Sequence, residues 1–285
     1  MPIIFDFLST LIDIKKNRFY KFSRFDNSSY WKNYYAIKLK NNDIAREKKY
    51  ASLLKSYLPK NAKIVEMASG IGFLAKELDK VGLKVTAVDL FDNMLNEAKK
   101  YLRGTKVTFV KKDISDTELP DESFDGVSAM SIIEHVSKDE VIENVIPEFK
   151  RILKKNGYLF IHVPVKSPYS VFIRFLRNVI FRDLPEWAID DDGDITHRFW
   201  ISYKDYIKMF EDQGFKLVNY DFYLSRSNLK PRLLSQTMKK LQNILEVTDV
   251  KFDKSIENEP FNIRLLKDIK GNLALTSYFL LKKES

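Results

Sequence analysis

The stretch Ile64-Val65-Glu66-Met67-Ala68-Ser69-Gly70-Ile71-Gly72 decides the fold. Lys63–Met67 reads as a short buried strand, and the small residues after it as a tight turn. A helical run from Phe73 to Val81 opens directly behind the turn. Gly70 and Gly72 let the backbone come close to a ligand, and the first turn of the helix offers free N–H donors. Glu66 is the informative residue. A carboxylate just before the turn repels a phosphate and suits a ligand carrying an amino group.

The pattern continues outward on both sides. Lys84–Asp89, Lys106–Lys111, Phe124–Met130 and Gly157–Val163 read as further strands, the last stopped by Pro164. Asn93–Leu102 and Lys138–Leu153 read as helices between them. Strands alternating with helices predict βαβ units and a parallel sheet, and right-handed crossovers place helices on both faces. Beyond Pro164 the regularity breaks. Residues 165–200 read as an insertion rich in aromatics and arginine. A helix from Ser202 to Gln213, ended by Gly214, leads to a strand at Phe215–Leu224. Residues 225–270 read as a second, polar insertion before a final strand, Leu273–Leu281.

Upstream, residues 1–60 read as an N-terminal helical segment. Ile3, Ile4, Phe7, Leu8, Leu11 and Ile12 recur at helical spacing, and a second pattern runs through Ala45, Leu53, Leu54 and Leu58 until Pro59. The expected organisation is that segment, then an α/β domain over residues 61–285.

The bulk composition narrows the classes. The 285 residues are 45% apolar and contain no cysteine, which excludes disulfides and thiolate metal sites and suits a reducing cytoplasm. No apolar run reaches spanning length. Met1–Ile14 carries Asp6 and Asp13 without a basic leader, so no secretory signal is expected. The net charge of +9 suits nucleic acid or an anionic membrane surface. The lysines are scattered among acids, however, which reads as a solvated surface and not a nucleic-acid interface.

Two more acids close strands. Val88-Asp89-Leu90 ends the second, about twenty residues past the glycine turn, where a carboxylate can accept both hydroxyls of a ribose. Lys112-Asp113-Ile114 follows the third, where an acid and an aliphatic residue can read an adenine amino group and cover its ring. Each piece alone has a plain alternative: a strand-to-helix turn for the glycines, a helix N-cap for Asp89, a loop cap for Asp113.

Taken in order, the set resembles the class I S-adenosylmethionine-dependent methyltransferases, in the group similar to the ubiquinone/menaquinone methyltransferases. Residues 61–164 carry the resemblance, which Thr196–Phe215 extends weakly. That family's loop reads Asp-x-Gly-x-Gly-x-Gly; here Glu66 keeps the carboxylate and Ala68 keeps a small residue. Met130-Ser131-Ile132-Ile133-Glu134-His135-Val136 after the fourth strand and Leu153-Lys154-Lys155-Asn156-Gly157 before the fifth also match. The resemblance implies a doubly wound, mostly parallel seven-stranded sheet of order 3-2-1-4-5-7-6 with the last strand antiparallel. It implies S-adenosyl-L-methionine as cofactor. Glu66 and the Ala68-Ser69-Gly70-Gly72 loop would serve the methionine end, Asp89 the ribose, Leu90 and Met94 the adenine flank, and Asp113 and Ile114 the base, with Met130 among the cofactor-binding residues.

Methyl transfer needs alignment first, and an oxygen acceptor benefits from a base. His135, just past the fourth strand, and His197, in Asp194–Phe199, are the candidates, with His135 first; His162, inside the fifth strand, reads as structural. Tyr30, Trp31, Tyr34 and Tyr35 would shield the sulfonium or simply pack. The Asp190–Asp194 run lacks the spacing of a calcium loop and reads as solvated. Tyr169–Arg182 mixes bulky apolar residues with arginines and reads as a lid over the acceptor, with peripheral membrane contact as the alternative. The expected function is methylation of a small-molecule or lipid-linked acceptor, at oxygen. An NAD(P)-dependent oxidoreductase also fits Gly70-x-Gly72-x-x-Ala75 with Asp89, but Glu66 would face the pyrophosphate. An RNA methyltransferase would need a basic aromatic surface that the sequence does not display.

Overall fold

The computed structural model describes residues 44–175, 199–223 and 271–284. The N-terminal aromatics, His197, the Asp190–Asp194 run and most of both insertions lie outside the described residues. So do residues 1–43 of the N-terminal segment.

Helix α1 (Ala45–Tyr57) precedes β1 (Lys63–Met67), α2 (Phe73–Lys80), β2 (Lys84–Asp89), α3 (Asp92–Tyr101), β3 (Thr108–Lys111) and β4 (Phe124–Met130). A 3-10 turn (Ile133–His135) leads to α4 (Lys138–Glu140), a π segment (Val141–Val145) and α5 (Ile146–Ile152). Then come β5 (Leu153–Pro164), α6 (Pro168–Phe175), α7 (Tyr203–Glu211), β6 (Phe215–Tyr223) and β7 (Thr276–Lys283). The seven strands form one mixed sheet in the order β3-β2-β1-β4-β5-β7-β6, the order expected from the sequence. β1 pairs in parallel with β2 (Glu66 opposite Ala87) and with β4 (Glu66 opposite Ser128), and β2 with β3 (Thr86 opposite Thr108). β7 runs against β6: Leu275 N–H donates to Tyr223 O, whereas Glu284 N–H donates to Gly214 O.

The described residues fall into two compact units. The first contains α1 through residue 161 of β5, with 209–217 and 280–284. Its central strand, β1, is buried from Ile64 to Met67, as a parallel strand covered on both faces must be. α2 turns Phe73, Leu74, Ala75 and Leu78 inward, and α1 does the same with Tyr50, Ala51 and Leu54. Lys283, at the end of β7, donates from Nζ to Lys150 O (2.8 Å) and Leu153 O (2.6 Å). A cation there satisfies the last carbonyls of α5 and faces the negative end of its dipole.

The helix expected over Lys138–Leu153 and strand β5 depart most from the sequence reading. The single helix expected over Lys138–Leu153 contains the π segment Val141–Val145. Pro147 stands in the first turn of α5; with no N–H to give and a ring that crowds the carbonyl four residues back, it favours the wider turn just before it. β5 begins at Leu153, four residues earlier than expected, and takes up Asn156 at φ +62° as an irregularity within the strand.

The second unit contains 162–175, 199–208, 218–223 and 271–279. Both of its helices start at capping boxes. Ser167 and Ser170 bond reciprocally, backbone N–H to hydroxyl, ahead of Pro168 in α6. At α7 the Asp205 N–H donates to the Ser202 hydroxyl and the Ser202 N–H to the Asp205 carboxylate. Tyr203, Tyr220 and Phe222 form an aromatic cluster between α7 and β6.

Candidate functional site

The residues singled out at the carboxyl ends of β1, β2 and β4 all belong to the first unit. Glu66 is buried in β1, and its Oε2 accepts the N–H of Ala75 at 2.8 Å. Ala75 is in the first turn of α2, so the carboxylate holds one of the orphan donors of that helix. A dinucleotide pyrophosphate would need those donors for itself, and would meet a negative charge there.

Beyond β1 the chain turns through left-handed backbone at Ala68 (φ +50°), Gly70 (φ +55°) and Gly72 (φ +81°). Ser69 N–H donates to Val88 O and Gly72 N–H to Ser69 O, both at 2.9 Å. Only glycine is at ease at position 72: a Cβ there would lie 2.6 Å from Leu102 Cδ1. Ser131, immediately after β4, is also left-handed, at φ +52°. Thus two adjacent central strands each end in a non-glycine residue held in a costly conformation, a pattern that collects at functional sites.

Asp89 organises the next strand end. Its Oδ2 accepts Gly70 N–H at 2.8 Å and its Oδ1 accepts Phe91 N–H at 3.0 Å. Burial pushes the carboxyl above its ordinary value, opposed by the N–H groups of Phe91, Gly70 and Leu90. Each oxygen keeps lone-pair capacity for a hydroxyl donor. Leu90 is 46% exposed, an uncovered apolar side chain beside that acid. Met94 is buried with Ile71 and Phe73, next to Phe91 and Tyr101. Asp113 is exposed, its Oδ1 accepting both the N–H and the hydroxyl of Ser115, and Ile114 is buried. Met130 is half-buried at the end of β4.

The Ser69 hydroxyl has no hydrogen-bond partner among the described residues although its oxygen is shut away from water. A buried orphan hydroxyl is costly, and this one sits in the loop that would hold a ligand. With the unspent lone pairs of Asp89 and the uncovered face of Leu90, it makes the loop fit a polar, ribose-bearing ligand with a flat base.

His135 is buried in the 3-10 turn after β4. Glu134 beside it is more deeply buried and was not singled out from the sequence. A glutamate inside an apolar -Ile-Ile-Glu-His-Val- run was the available signal, since carboxylates are rarely buried without a task. His162 lies in the second unit, buried near the Tyr223 ring. Among the described residues no group of His, Asp or Glu is arranged to hold a metal, and no helix is long and apolar enough to cross a membrane.

Known proteins place this geometry. Residues 65–161 match the family described as methyltransferase domain. A ubiquinone biosynthesis O-methyltransferase of Pelagibacter ubique is 32% identical over 103 residues, 36% of this chain and 42% of that protein. A ubiquinone/menaquinone biosynthesis C-methyltransferase of Campylobacter jejuni is 26% identical over 195 residues, 62% of this chain and 81% of that protein. The chain spans about half the length of the ubiquinone O-methyltransferases it matches. In fold it is similar to a SAM-dependent methyltransferase from Archaeoglobus fulgidus, with a TM-score of 0.55 at 18% identity over 88% of this chain and 99% of the other. The glycine turn behind a buried carboxylate, the acid braced at the end of β2 and the 3-2-1-4-5-7-6 sheet are similar to those of the class I S-adenosylmethionine-dependent methyltransferases, and residues 65–161 match the methyltransferase-domain family.

Proposed function

We propose that the protein methylates an oxygen of a small-molecule or lipid-linked acceptor, using S-adenosylmethionine. The observation that carries the cofactor assignment is the Asp89 carboxylate, buried and held by one backbone N–H on each oxygen. A carboxylate so fixed is preorganised for the two hydroxyls of a ribose, at no cost in orientation when the ligand arrives. Leu90 and Ile114 supply apolar cover for a base, Asp113 an acceptor for its amino group, and Met130 a neighbouring wall. Glu66 fixes the entry to α2 through Ala75, so the loop between them holds its shape; the Ser69 hydroxyl is available to the amino-acid end.

When bound, the cofactor supplies a methyl group already activated by a sulfonium. The protein's tasks are then to align an acceptor and to take a proton. His135, buried in the turn after β4, is the base in this reading: its imidazole would take the proton of the acceptor hydroxyl. Relatives named for O-methylation and for C-methylation in ubiquinone biosynthesis support an acceptor of quinone or lipid-linked type.

The test is methyl transfer from radiolabelled S-adenosylmethionine into a host extract separated into organic-soluble, small aqueous, RNA and protein fractions. Label in the organic or small aqueous fraction, lost in His135→Ala, is expected. Label confined to RNA or protein would overturn the acceptor class, and absence of cofactor binding in calorimetry would overturn the whole reading.

A further inference from the structure

Lysines scattered along the sequence meet at one edge of the first unit. Lys63 opens β1 and Lys84 opens β2, and the parallel register pairs them. β2 and β3 pair through Thr86 and Thr108, and Lys106 stands two residues ahead of Thr108 as Lys84 stands two ahead of Thr86. Neighbouring strands lie about 4.8 Å apart, so the three lysines form a row across the amino ends of three adjacent strands. Two more cations flank it. Lys60 is in the turn that Ala62 N–H closes on Pro59 O, and Arg103 in the turn that Thr105 N–H closes on Leu102 O. All five are exposed, and none has an ion pair among the described residues.

The acids beside the row leave it cationic. Asp125 accepts Lys63 N–H at 2.8 Å and spends its other oxygen on Lys154 Nζ at 2.7 Å. Asp79 accepts Lys106 N–H at 3.2 Å, and it alone faces the five cations without a cationic partner of its own among the described residues. Like charges on paired residues repel. Packing asks nothing of these side chains, because burial in β1 and β2 begins one residue later, at Ile64 and Val85.

We propose that this row is a docking face for an anionic membrane surface. Clusters of about four to eight basic residues hold a protein at such a surface through charge alone, and lysine is a compact point charge on a flexible stem. A nucleic-acid strand is gripped instead in a groove whose aromatic rings stack on its bases. The row lies along a sheet edge. The large apolar side chains exposed among the described residues are elsewhere, Leu90 past the carboxyl end of β2 and Phe172 in the second unit. The contact is therefore electrostatic, with nothing to insert into lipid. β1 and β2 carry Glu66 and Asp89 toward their other ends, so docking by this edge leaves the proposed cofactor site uncovered. The inference does not depend on methyl transfer.

The experiment sediments the full chain with vesicles of phosphatidylglycerol in phosphatidylcholine, and with vesicles of phosphatidylcholine alone. It is run at about 0.1 M and about 1 M salt, where charge reaches about 10 Å and about 3 Å. Wild type is expected to bind the anionic vesicles at the lower salt, to leave them at the higher, and to ignore the neutral ones. The triple variant Lys63→Gln, Lys84→Gln, Lys106→Gln is expected to bind about a hundredfold more weakly, about fivefold for each lysine. Its melting temperature should be unchanged or raised and its affinity for S-adenosylmethionine that of wild type. A second triple variant, Lys48→Gln, Lys138→Gln, Lys208→Gln, removes as much charge from exposed positions outside the row and should bind within a few-fold of wild type. Failure of wild type to bind, equal binding to neutral vesicles, or equal losses in the two triple variants would each overturn the docking face. A uridine oligonucleotide that strips wild type from the vesicles at equal phosphate concentration would assign the row to nucleic acid and overturn the membrane surface as its partner.

Discussion

Gly70 N–H donates to Asp89 Oδ2 across 2.8 Å, tying the glycine loop after β1 to the acid that ends β2. The bond makes two pieces of the proposed cofactor site one object: the loop cannot shift without moving the carboxylate.

Replacing Asp89 by Ala should therefore weaken cofactor binding at least tenfold, through lost acceptors and through a loosened loop, as calorimetry would show. The pH dependence has a definite sign. Burial holds this carboxyl above its ordinary 3.8, and the ionised form is the one that accepts two hydroxyls. Affinity should be constant at neutral pH and fall as pH drops, starting above the usual carboxylate range. The stability linkage runs the other way: a raised value favours the protonated folded state, so this group's contribution is full below 3.8 and lost as pH rises through the folded value. A cofactor affinity that is flat from pH 7 down to 4 would remove Asp89 from the site.

Ala68 and Gly72 make a paired prediction in opposite directions. Ala68 occupies left-handed backbone at φ +50°, which costs an L-residue about 1–2 kcal/mol. Ala68→Gly removes that cost and adds about 0.5–1 kcal/mol of chain entropy to the unfolded state, so stability should rise slightly or hold. Gly72→Ala meets both φ +81° and the Leu102 side chain, and should lose about 1–3 kcal/mol. Urea midpoints at constant slope decide both; destabilisation by Ala68→Gly would mean that the methyl packs usefully.

Glu148 anchors α5 to the loop before β4. It accepts the N–H and hydroxyl of Thr117 and two donors from Arg151, which also pairs with Asp121. Burial pushes its carboxyl up, but the bonds from Arg151 and Thr117 outweigh burial and hold it below the ordinary value. A depressed acid stabilises the fold above its unfolded value and stops doing so as pH falls through its folded one. Glu148→Gln should cost about 1.5–3 kcal/mol at pH 7, and the variant should lose less stability than wild type on acidification. Equal losses in urea melts at pH 7 and pH 3 would show that the charge contributes nothing.

The alternation of strands and helices and the strand-end acids could be read from the chain because each rests on local pattern, whereas the sheet order came from the family resemblance alone. Apolar runs of strand length alternate with helical periodicity, and Glu66, Asp89 and Asp113 stand where those runs stop. What the pattern hid depends on partners distant in sequence. β3 starts at Thr108, not Lys106, because the Lys106 N–H goes to Asp79 Oδ1 at 3.2 Å. β7 starts at Thr276, not Leu273, because residues 271–273 make a helical turn. The bond from Ala75 to Glu66, and the lack of one at Ser69, are facts of geometry that no spacing rule contains.

Ser69 offers the sharpest separation of stability from function. Its hydroxyl is buried without a partner among the described residues, so in the cofactor-free protein Ser69→Ala removes a group that has already paid for desolvation and received nothing. Stability should stay level or rise by about 1 kcal/mol. In the proposed complex the same oxygen gains a partner at the amino-acid end of S-adenosylmethionine, and the variant should bind it about ten- to 150-fold more weakly, the range for a hydrogen bond to a charged group. S-adenosylhomocysteine shares that amino-acid end and should suffer equally, whereas adenosine, which lacks it, should bind variant and wild type alike. Loss of stability without loss of affinity would make the hydroxyl a packing group. Equal weakening toward adenosine would place the defect in the loop's shape, not in the contact.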